Sequence, residues 1–412
     1  MERIASKGGK VFLVGGCVRD LLLKQSSKDC DIVTNLVSSE LYKIFPQGHY
    51  HGKSFSVFTV DGIEIATFRG QNSGQASLED DLRRRDFTVN AMALDVQGNI
   101  WDFFGGQIDL KNRVVRFVEN PYERIHEDYC RMLRGCRFVG YLAGHLDPQS
   151  AKAIYYNSKY IQLVAKERLR KEILKMMELT DLESAFFCTQ TNNLIKWILP
   201  PLHEYQNKTV CNCGQNKNLF IHCLETAKAI SPHKPLLRLA ALLHEPCCDS
   251  NGNMADKSQR HIQTIRELLV ELRFSFDEIN YISEAIEKLA FGLSGLTNLI
   301  ELRRFMSRLD IPLKDFLDIY QAHLQAFGTA EDMREAYEKM VKDINMIKEE
   351  NSAMKLKDLK IDGRILKGLG MKPGPMFSEI LEACLEEVLK EPSKNNKNYL
   401  IKYAKNLYNR YY

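Results

Sequence analysis

Residues Leu13–Thr34 read LVGGCVRDLLLKQSSKDCDIVT, and the order of signals in this stretch sets the fold of the first hundred residues. Val11–Val14 is a short apolar strand, Gly15-Gly16 a turn, and Cys17–Lys24 has the composition of a helix. Strand, glycine turn and helix together offer unpaired backbone N–H groups to a phosphate. Asp29 and Asp31 then fall in a second short strand that ends in Ile32 and Val33. Side chains two apart on a strand share a face, so both carboxylates point the same way. Such a pair either repels or holds a hard cation, typically Mg²⁺ beside substrate phosphates. The plainer alternative is a turn followed by exposed surface acids.

Working outward, residues 1–110 alternate strand and helix signals. Further strands are expected at Ser56–Val60, Glu64–Thr67 and Ala91–Asp95, with turns at Asp61-Gly62 and Gly105-Gly106. From about Asn120 onward, strand signals almost vanish and helical periodicity takes over. The 412 residues suffice for several domains, and 44% hydrophobic with 27% charged residues describes an ordinary soluble protein. A net charge of +4 leaves any nucleic-acid contact to local patches. Eleven scattered cysteines, no signal-peptide pattern and no apolar run of membrane-spanning length point to reduced thiols, a cytoplasmic setting and no membrane partner.

Leu78–Asp95, LEDDLRRRDFTVNAMALD, carries three arginines ahead of Asp86, with Asn90 one helical turn further on. Guanidinium forks suit triphosphate oxygens and ribose hydroxyls, although an arginine run is often only a solvated face. Glu64, in the preceding strand, faces opposite to Ile63 and Ile65 and supplies a third acid toward Asp29 and Asp31, or else an exposed strand acid. Arg124–Gly140, RIHEDYCRMLRGCRFVG, read as one helix, places Glu127, Asp128, Arg131 and Arg134 on a polar stripe. A carboxylate and a guanidinium one turn apart can read the Watson–Crick edge of a base; a plain intrahelical salt bridge has the same spacing.

Together these stretches resemble the class II tRNA nucleotidyltransferases, the CCA-adding enzyme and bacterial poly(A) polymerase family of the DNA polymerase β superfamily. The first motif is similar to Gly15-Gly16, Arg19-Asp20 and Asp29-x-Asp31, and the second to Arg84-Arg85-Asp86 with Asn90. The third resembles WDFFGGQIDL at Trp101–Leu110, the fourth Glu127-Asp128-x-x-Arg131, and the fifth KERLRKEILKMM at Lys166–Met177. The resemblance implies an α+β fold: a polymerase β-like nucleotidyltransferase head (1–117) followed by an elongated all-helical neck (118–178), body (179–350) and tail (351–412). It implies Mg²⁺ on Asp29 and Asp31, with Glu64 as a further catalytic acid. Gly15, Gly16, Arg19, Arg84, Arg85, Asp86, Asn90 and Arg134 would hold the nucleotide, while Asp128 and Arg131 would read its base, with Glu127 positioning that helix. The substrates would be CTP, with ATP in the fuller reading, and the 3′ end of tRNA. Leu359–Leu389 resembles the family tail that meets the tRNA elbow, and 355–412 holds twelve Lys/Arg against seven Asp/Glu.

Two departures matter. LFIHCLETAKAI with LLRLAALLHEPC resembles a His-Asp metal-phosphohydrolase domain: His222 and His244 match its first two ligands, but Glu245 stands where an aspartate is expected. His261 is a loose match to a later position, so the domain reads as mostly structural. Cys211, Cys213, Cys223, Cys247 and Cys248 lack double-CxxC spacing and read as thiols rather than a zinc site. Second, only Gly70–Ser77 separates Arg69 from Leu78, shorter than the flexible loop of full CCA-adding members. That shortening marks members that add only the two cytidines, leaving a separate enzyme to add A. A full CCA-adding enzyme, a poly(A) polymerase and a metal phosphohydrolase remain the alternatives.

Overall fold

Along Val11–Val14 (β1) and Asp31–Thr34 (β2), apolar side chains stand on both faces, and the chain supplies a cover for each. In the computed structural model, which describes residues 1–27, 30–51, 57–68, 76–212, 215–245, 254–293, 298–328, 331–350 and 352–411, these strands centre a seven-stranded sheet. The others are β3 (His49–His51), β4 (Val57–Val60), β5 (Ile63–Thr67), β6 (Ala93–Leu94) and β7 (Ile100–Trp101). The order is β3-β4-β5-β2-β1-β6-β7, and every neighbouring pair is antiparallel except β2 with β5.

The first helices are α1 (Glu2–Ala5), α2 (Gly16–Leu22), α3 (Ser38–Ile44) and α4 (Leu78–Arg83). On one face Val11, Ile32 and Ile65 pack with Ile4, Leu41 and Phe45. On the other, Phe12, Val14 and Val33 pack with Leu78, Leu82, Ala91 and Val118. The period of two therefore puts Asp31 on the face of Val33, toward α4 and the segment after it.

The sheet differs from the sequence expectation at its margins. The strand expected at Ala91–Asp95 is trimmed to Ala93–Leu94 because Thr88–Asn90 forms a 3₁₀ turn. Helix α2 occupies Gly16–Leu22 rather than Cys17–Lys24, and Lys24 has φ 58°. The strands β3 and β7, three and two residues long, are too short to show an alternating pattern in the sequence.

After the sheet come α5 (Gly106–Lys111), β8 (Val114–Val115), α6 (Pro121–Glu127), α7 (Cys130–Leu142), β9 (His145–Leu146), α8 (Pro148–Asn157), α9 (Lys166–Met177) and α10 (Leu182–Thr191). The single helix expected through Arg124–Gly140 is interrupted: Asp128 has φ −158° and ψ 101°. Its Oδ1 accepts from the backbone N–H of Cys130 at 3.1 Å, the local bond by which aspartate draws backbone out of a helix. The helix expected at Lys166–Met177 forms over that span.

The chain divides into two compact units, Met1–Glu204 with Glu271–Arg273, and Tyr205–Val270 with Phe274–Tyr412. The first ends through α11 (Ile195–Ile198) and α12 (Pro200–Glu204). In the second, a hairpin of β10 (Thr209–Asn212) and β11 (Gln215–Asn218) leads into α13 (Leu219–Ala229) and α14 (Pro235–Leu243). Helices α15 (Met254–Glu271), α16 (Phe276–Leu293), α17 (Leu299–Ser307) and α18 (Leu313–Phe327) follow. The C-terminal helices Met376–Lys390 and Lys397–Tyr411 share a small core around Ile380, Cys384, Val388 and Leu400. Among the described residues no helix is long and apolar enough to cross a membrane.

Candidate active site

Gly15 ends β1 at φ 78° and caps α2, a conformation that side chains resist. A Cβ on Gly15 would lie 2.6 Å from Nη1 of Arg85 and 3.7 Å from Oδ2 of Asp31. Glycine is therefore what lets a guanidinium lie against this turn. A Cβ on Gly16 would sit 3.4 Å from Nη2 of Arg19.

Asp31 and Glu64 are register partners across the parallel β2–β5 ladder, so their side chains leave the same face from adjacent strands. Asp29 lies outside the described residues. The two acids line a cavity of 440 Å³. Arg84, Arg85 and Asp86 enter it after α4, and Asp128, Arg131 and Arg134 enter it from the α6–α7 region. A 260 Å³ pocket shares Asp31, Arg85, Asp86 and Arg134 with it and adds Gly15, Gly16, Arg19 and Asn90. Glu127 lines neither pocket; its carboxylate is spent on Arg131 and Arg124.

The arginines are held by a connected network. Arg19 donates to Asp20 at 2.9 Å and to Oδ1 of Asn90 at 2.6 Å, and it lies over the rings of Phe138 and Tyr141. Asn90 in turn donates to Asp86 at 3.0 Å, so the one-turn spacing read from the sequence is realised, through a 3₁₀ turn rather than an α-helix. Arg134 joins Asp86 (3.1 Å) to the buried Glu172 of α9 (3.4 Å), and Arg137 meets the same carboxylate at 2.7 Å. Arg85 reaches Asp81 at 3.2 Å, while its Nε is buried with no hydrogen-bond partner among the described residues. Tyr141, near the far end of α7, donates to Asp20 at 2.6 Å.

Electrostatics favour the ionised forms of Asp86 and Asp128. Burial works against the charge on Asp86, but Arg134 and the bonds from Asn90 and the Phe87 N–H outweigh it, and its carboxyl lies below the usual range. Asp128 is likewise lowered, with burial opposed by Arg168 and the Cys130 N–H.

Around the α6–α7 break the geometry is specific. Nη2 of Arg168 donates to Oδ2 of Asp128 at 2.6 Å. Nη1 of Arg131 donates to Glu127 at 2.7 Å and to the Arg124 carbonyl at 2.9 Å, and its Nη2 donates to the Arg84 carbonyl at 3.2 Å. Arg168, Glu172 and Arg137 were not singled out from the sequence. The signal available was the charged run KERLRKE at the start of α9, which the structure turns toward the site.

Comparisons with known proteins agree along the chain. Residues 11–116 match the family model "Poly A polymerase head domain", 145–206 match "Probable RNA and SrmB- binding site of polymerase A", and 258–404 match tRNA nucleotidyltransferase domain 2. The CCA-adding enzyme of Lactobacillus helveticus (strain DPC 4571) is 36% identical over 191 residues, 43% of this chain and 48% of that protein. Here, as with several related enzymes, the chain spans about half the length of the curated relative it matches. The CCA-adding enzyme of Lactiplantibacillus plantarum is 26% identical across 98% of this chain and 94% of its own. The crystal structure of the Bacillus stearothermophilus CCA-adding enzyme in complex with CTP has a TM-score of 0.71 at 23% identity, covering 100% of this chain and 96% of that one. The Thermotoga maritima CCA-adding enzyme complexed with tRNA-CCA has a TM-score of 0.63 at 20% identity, covering 98% and 93%. These last two likenesses show the fold, an α+β head with a helical remainder. With the three family models following one another along its length, the chain belongs to the CCA-adding enzyme and poly(A) polymerase family of nucleotidyltransferases.

Proposed function

We propose that this protein adds cytidylate from CTP to the 3′ end of tRNA, building the CC of the terminal CCA without a nucleic-acid template. One observation carries the reading: Asp128 and Arg131, each held by its own partner, line the same cavity as Asp31 and Glu64. A group that reads a base edge and a group that handles phosphate chemistry therefore face one bound nucleotide. Asp128 would accept from the cytosine amino group and Arg131 donate to its acceptor atoms. Gly15, Gly16, Arg19, Arg84, Arg85, Asp86 and Asn90 would hold the triphosphate and sugar, and Arg134 and Glu127 would keep the readers in place. The orphaned Nε of Arg85 suits a phosphate oxygen.

The oxygen-only donor set of Asp31 and Glu64 fits Mg²⁺, with Asp29 as the further ligand assigned from the motif. When bound, the metal supplies activation of the attacking hydroxyl and stabilisation of the departing pyrophosphate. The chain's own residues hold the triphosphate so that the tRNA 3′-oxygen bonds to the α-phosphorus as the bond to pyrophosphate breaks. In this reading 1–117 is the head, 118–178 the neck, 179–350 the body and 351–412 the tRNA-binding tail. Free thiols at the seven described cysteines suit a cytoplasmic setting.

A second reading, full CCA addition, is favoured by the relatives, which are CCA-adding enzymes. The argument against it is the short segment Gly70–Ser77, of which all but Ala76 and Ser77 lies outside the described residues. Incubating tRNA that lacks its CCA end with CTP, ATP or both, and resolving products at single-nucleotide length, tests the two. Products ending at CC support the first reading; efficient A addition replaces it with the second. A long A tract on a non-tRNA RNA would replace both with poly(A) polymerase.

A further inference from the structure

In the second unit, His222 on α13, His244 just beyond α14 and His323 on α18 converge, from positions as much as 101 residues apart. His222 Nε2 and His244 Nε2 are 3.2 Å apart, His222 Nε2 and His323 Nδ1 3.1 Å, and His244 Nε2 and His323 Nδ1 2.9 Å. All three rings are 0–2% exposed.

Hydrogen bonds among the rings cannot account for this triangle. Nδ1 of His244 lies 2.6 Å from the carbonyl of Ala241, and a carbonyl only accepts, so Nδ1 carries the proton and Nε2 presents a lone pair. A proton on His222 Nε2 leaves the lone pairs of His244 and His323 facing each other. A proton on His323 Nδ1 leaves those of His222 and His244 opposed, and protons on both clash along the third edge. Each neutral arrangement keeps one edge repulsive. A cation that accepts all three lone pairs removes the conflict.

We propose that His222, His244 and His323 form a three-imidazole site for a borderline divalent transition metal of the Zn²⁺, Co²⁺ or Ni²⁺ class. An ion placed ~2.0–2.1 Å from each nitrogen would subtend N–metal–N angles of roughly 90–100°, within the range of octahedral or flattened tetrahedral coordination. The Ala241 carbonyl behind His244 is the outer partner that fixes a ligand ring and raises its basicity. The nitrogen-only set disfavours Mg²⁺ and Ca²⁺, so the site is chemically distinct from the Asp31–Glu64 pair.

The ligand set also departs from the His-Asp pattern the sequence suggested. Glu245, at the place of the expected aspartate, is engaged by Lys208 at 2.8 Å and faces His261 at 3.4 Å. The Phe327 ring packs 4.2 Å from that of His222 and 4.6 Å from that of His323. With its three ligand residues buried, the metal would fasten α13, α18 and the end of α14 instead of meeting a phosphate ester. Cys223 stays outside the set: its thiol donates to the His244 carbonyl at 2.9 Å, and burial pushes its pKa well up. Cys213, Cys247 and Cys248 lie outside the described residues, as does the side chain of Cys211.

The test uses the full chain, stripped with EDTA, dialysed, and titrated with Co²⁺ in excess Mg²⁺. The expected result is one equivalent bound, visible d–d absorption without a thiolate charge-transfer band, displacement by Zn²⁺, and a raised thermal midpoint. The Co²⁺ form should also show three strongly shifted exchangeable imidazole N–H signals by NMR, a readout that needs no variant. His323→Gln should weaken binding at least ~10–100-fold while cytidine addition persists. Absence of stoichiometric Co²⁺ binding by the wild-type chain overturns the site. Thiolate charge transfer, fewer than three shifted imidazole signals, or undiminished binding by folded His323→Gln does so equally.

Discussion

Arg168 on α9 clasps Asp128 at 2.6 Å across the break between α6 and α7. The pair is partly exposed, with side chains 48% and 23% accessible, and such pairs contribute only about 0–1 kcal/mol to stability. Its consequence is orientation. It fixes which way one carboxylate oxygen points while leaving the other on the Cys130 N–H.

Arg168→Ala should therefore leave the thermal midpoint nearly unchanged and lower the preference for CTP over UTP by about tenfold, with partial recovery in Arg168→Lys. Competition kinetics with both nucleotides, beside a thermal scan, separate the two effects. Loss of stability with intact selectivity would reduce Arg168 to a brace.

Arg131→Ala removes the proposed donor itself. A bidentate base contact discriminates by roughly 1–3 kcal/mol, so CTP preference should fall by about one to two orders of magnitude while triphosphate affinity changes less. Unchanged selectivity would take Arg131 out of base reading.

Asp31→Ala should abolish nucleotide addition while tRNA binding, measured by filter retention, stays within about twofold, because phosphate contacts elsewhere set affinity. Glu64→Gln should reduce turnover steeply and raise the Mg²⁺ concentration needed for half-maximal rate. A Glu64→Gln enzyme with wild-type Mg²⁺ dependence would place that acid outside the metal site.

At Gly15 an alanine meets both a positive φ and the Arg85 guanidinium. Strain of this kind costs on the order of 1–3 kcal/mol, so Gly15→Ala should lower the urea midpoint and raise the KM for CTP. A variant as stable and active as wild type would show that the turn relaxes freely.

Glu172, 4% exposed, answers two guanidinium groups at once. Removing one partner of a buried pair costs about 3–5 kcal/mol, so Glu172→Gln should be among the most destabilising single changes in the first unit. Chemical denaturation followed by circular dichroism is the check.

Local patterns in the chain anticipated much of this arrangement. Val11–Val14 and the glycine turn lie where their own residues put them, and Lys166–Met177 lies where the family resemblance put it. Asp31 and Glu64 stand 33 positions apart in sequence and meet only through the parallel pairing of β2 with β5, and alternation could indicate the face of Glu64 but not its neighbour. The interruption at Asp128 escaped detection because helical spacing on either side is intact and a single side-chain bond decides the break. Arg168 and His323 escaped it for a different reason: each meets its partners only after distant helices pack, and no local period marks such a meeting.

Helix α7 gives a last consequence. Its start adjoins the Asp128–Arg168 clasp, and Tyr141 near its end is moored to Asp20 beside the glycine turn. A rod tethered at both ends cannot swivel to admit a bulkier base without giving up one mooring. Under the proposed function, exchange of one incoming nucleotide for another would then be made by short excursions of side chains at the kink, so the geometry would behave as a gauge with fixed jaws and an adjustable tip.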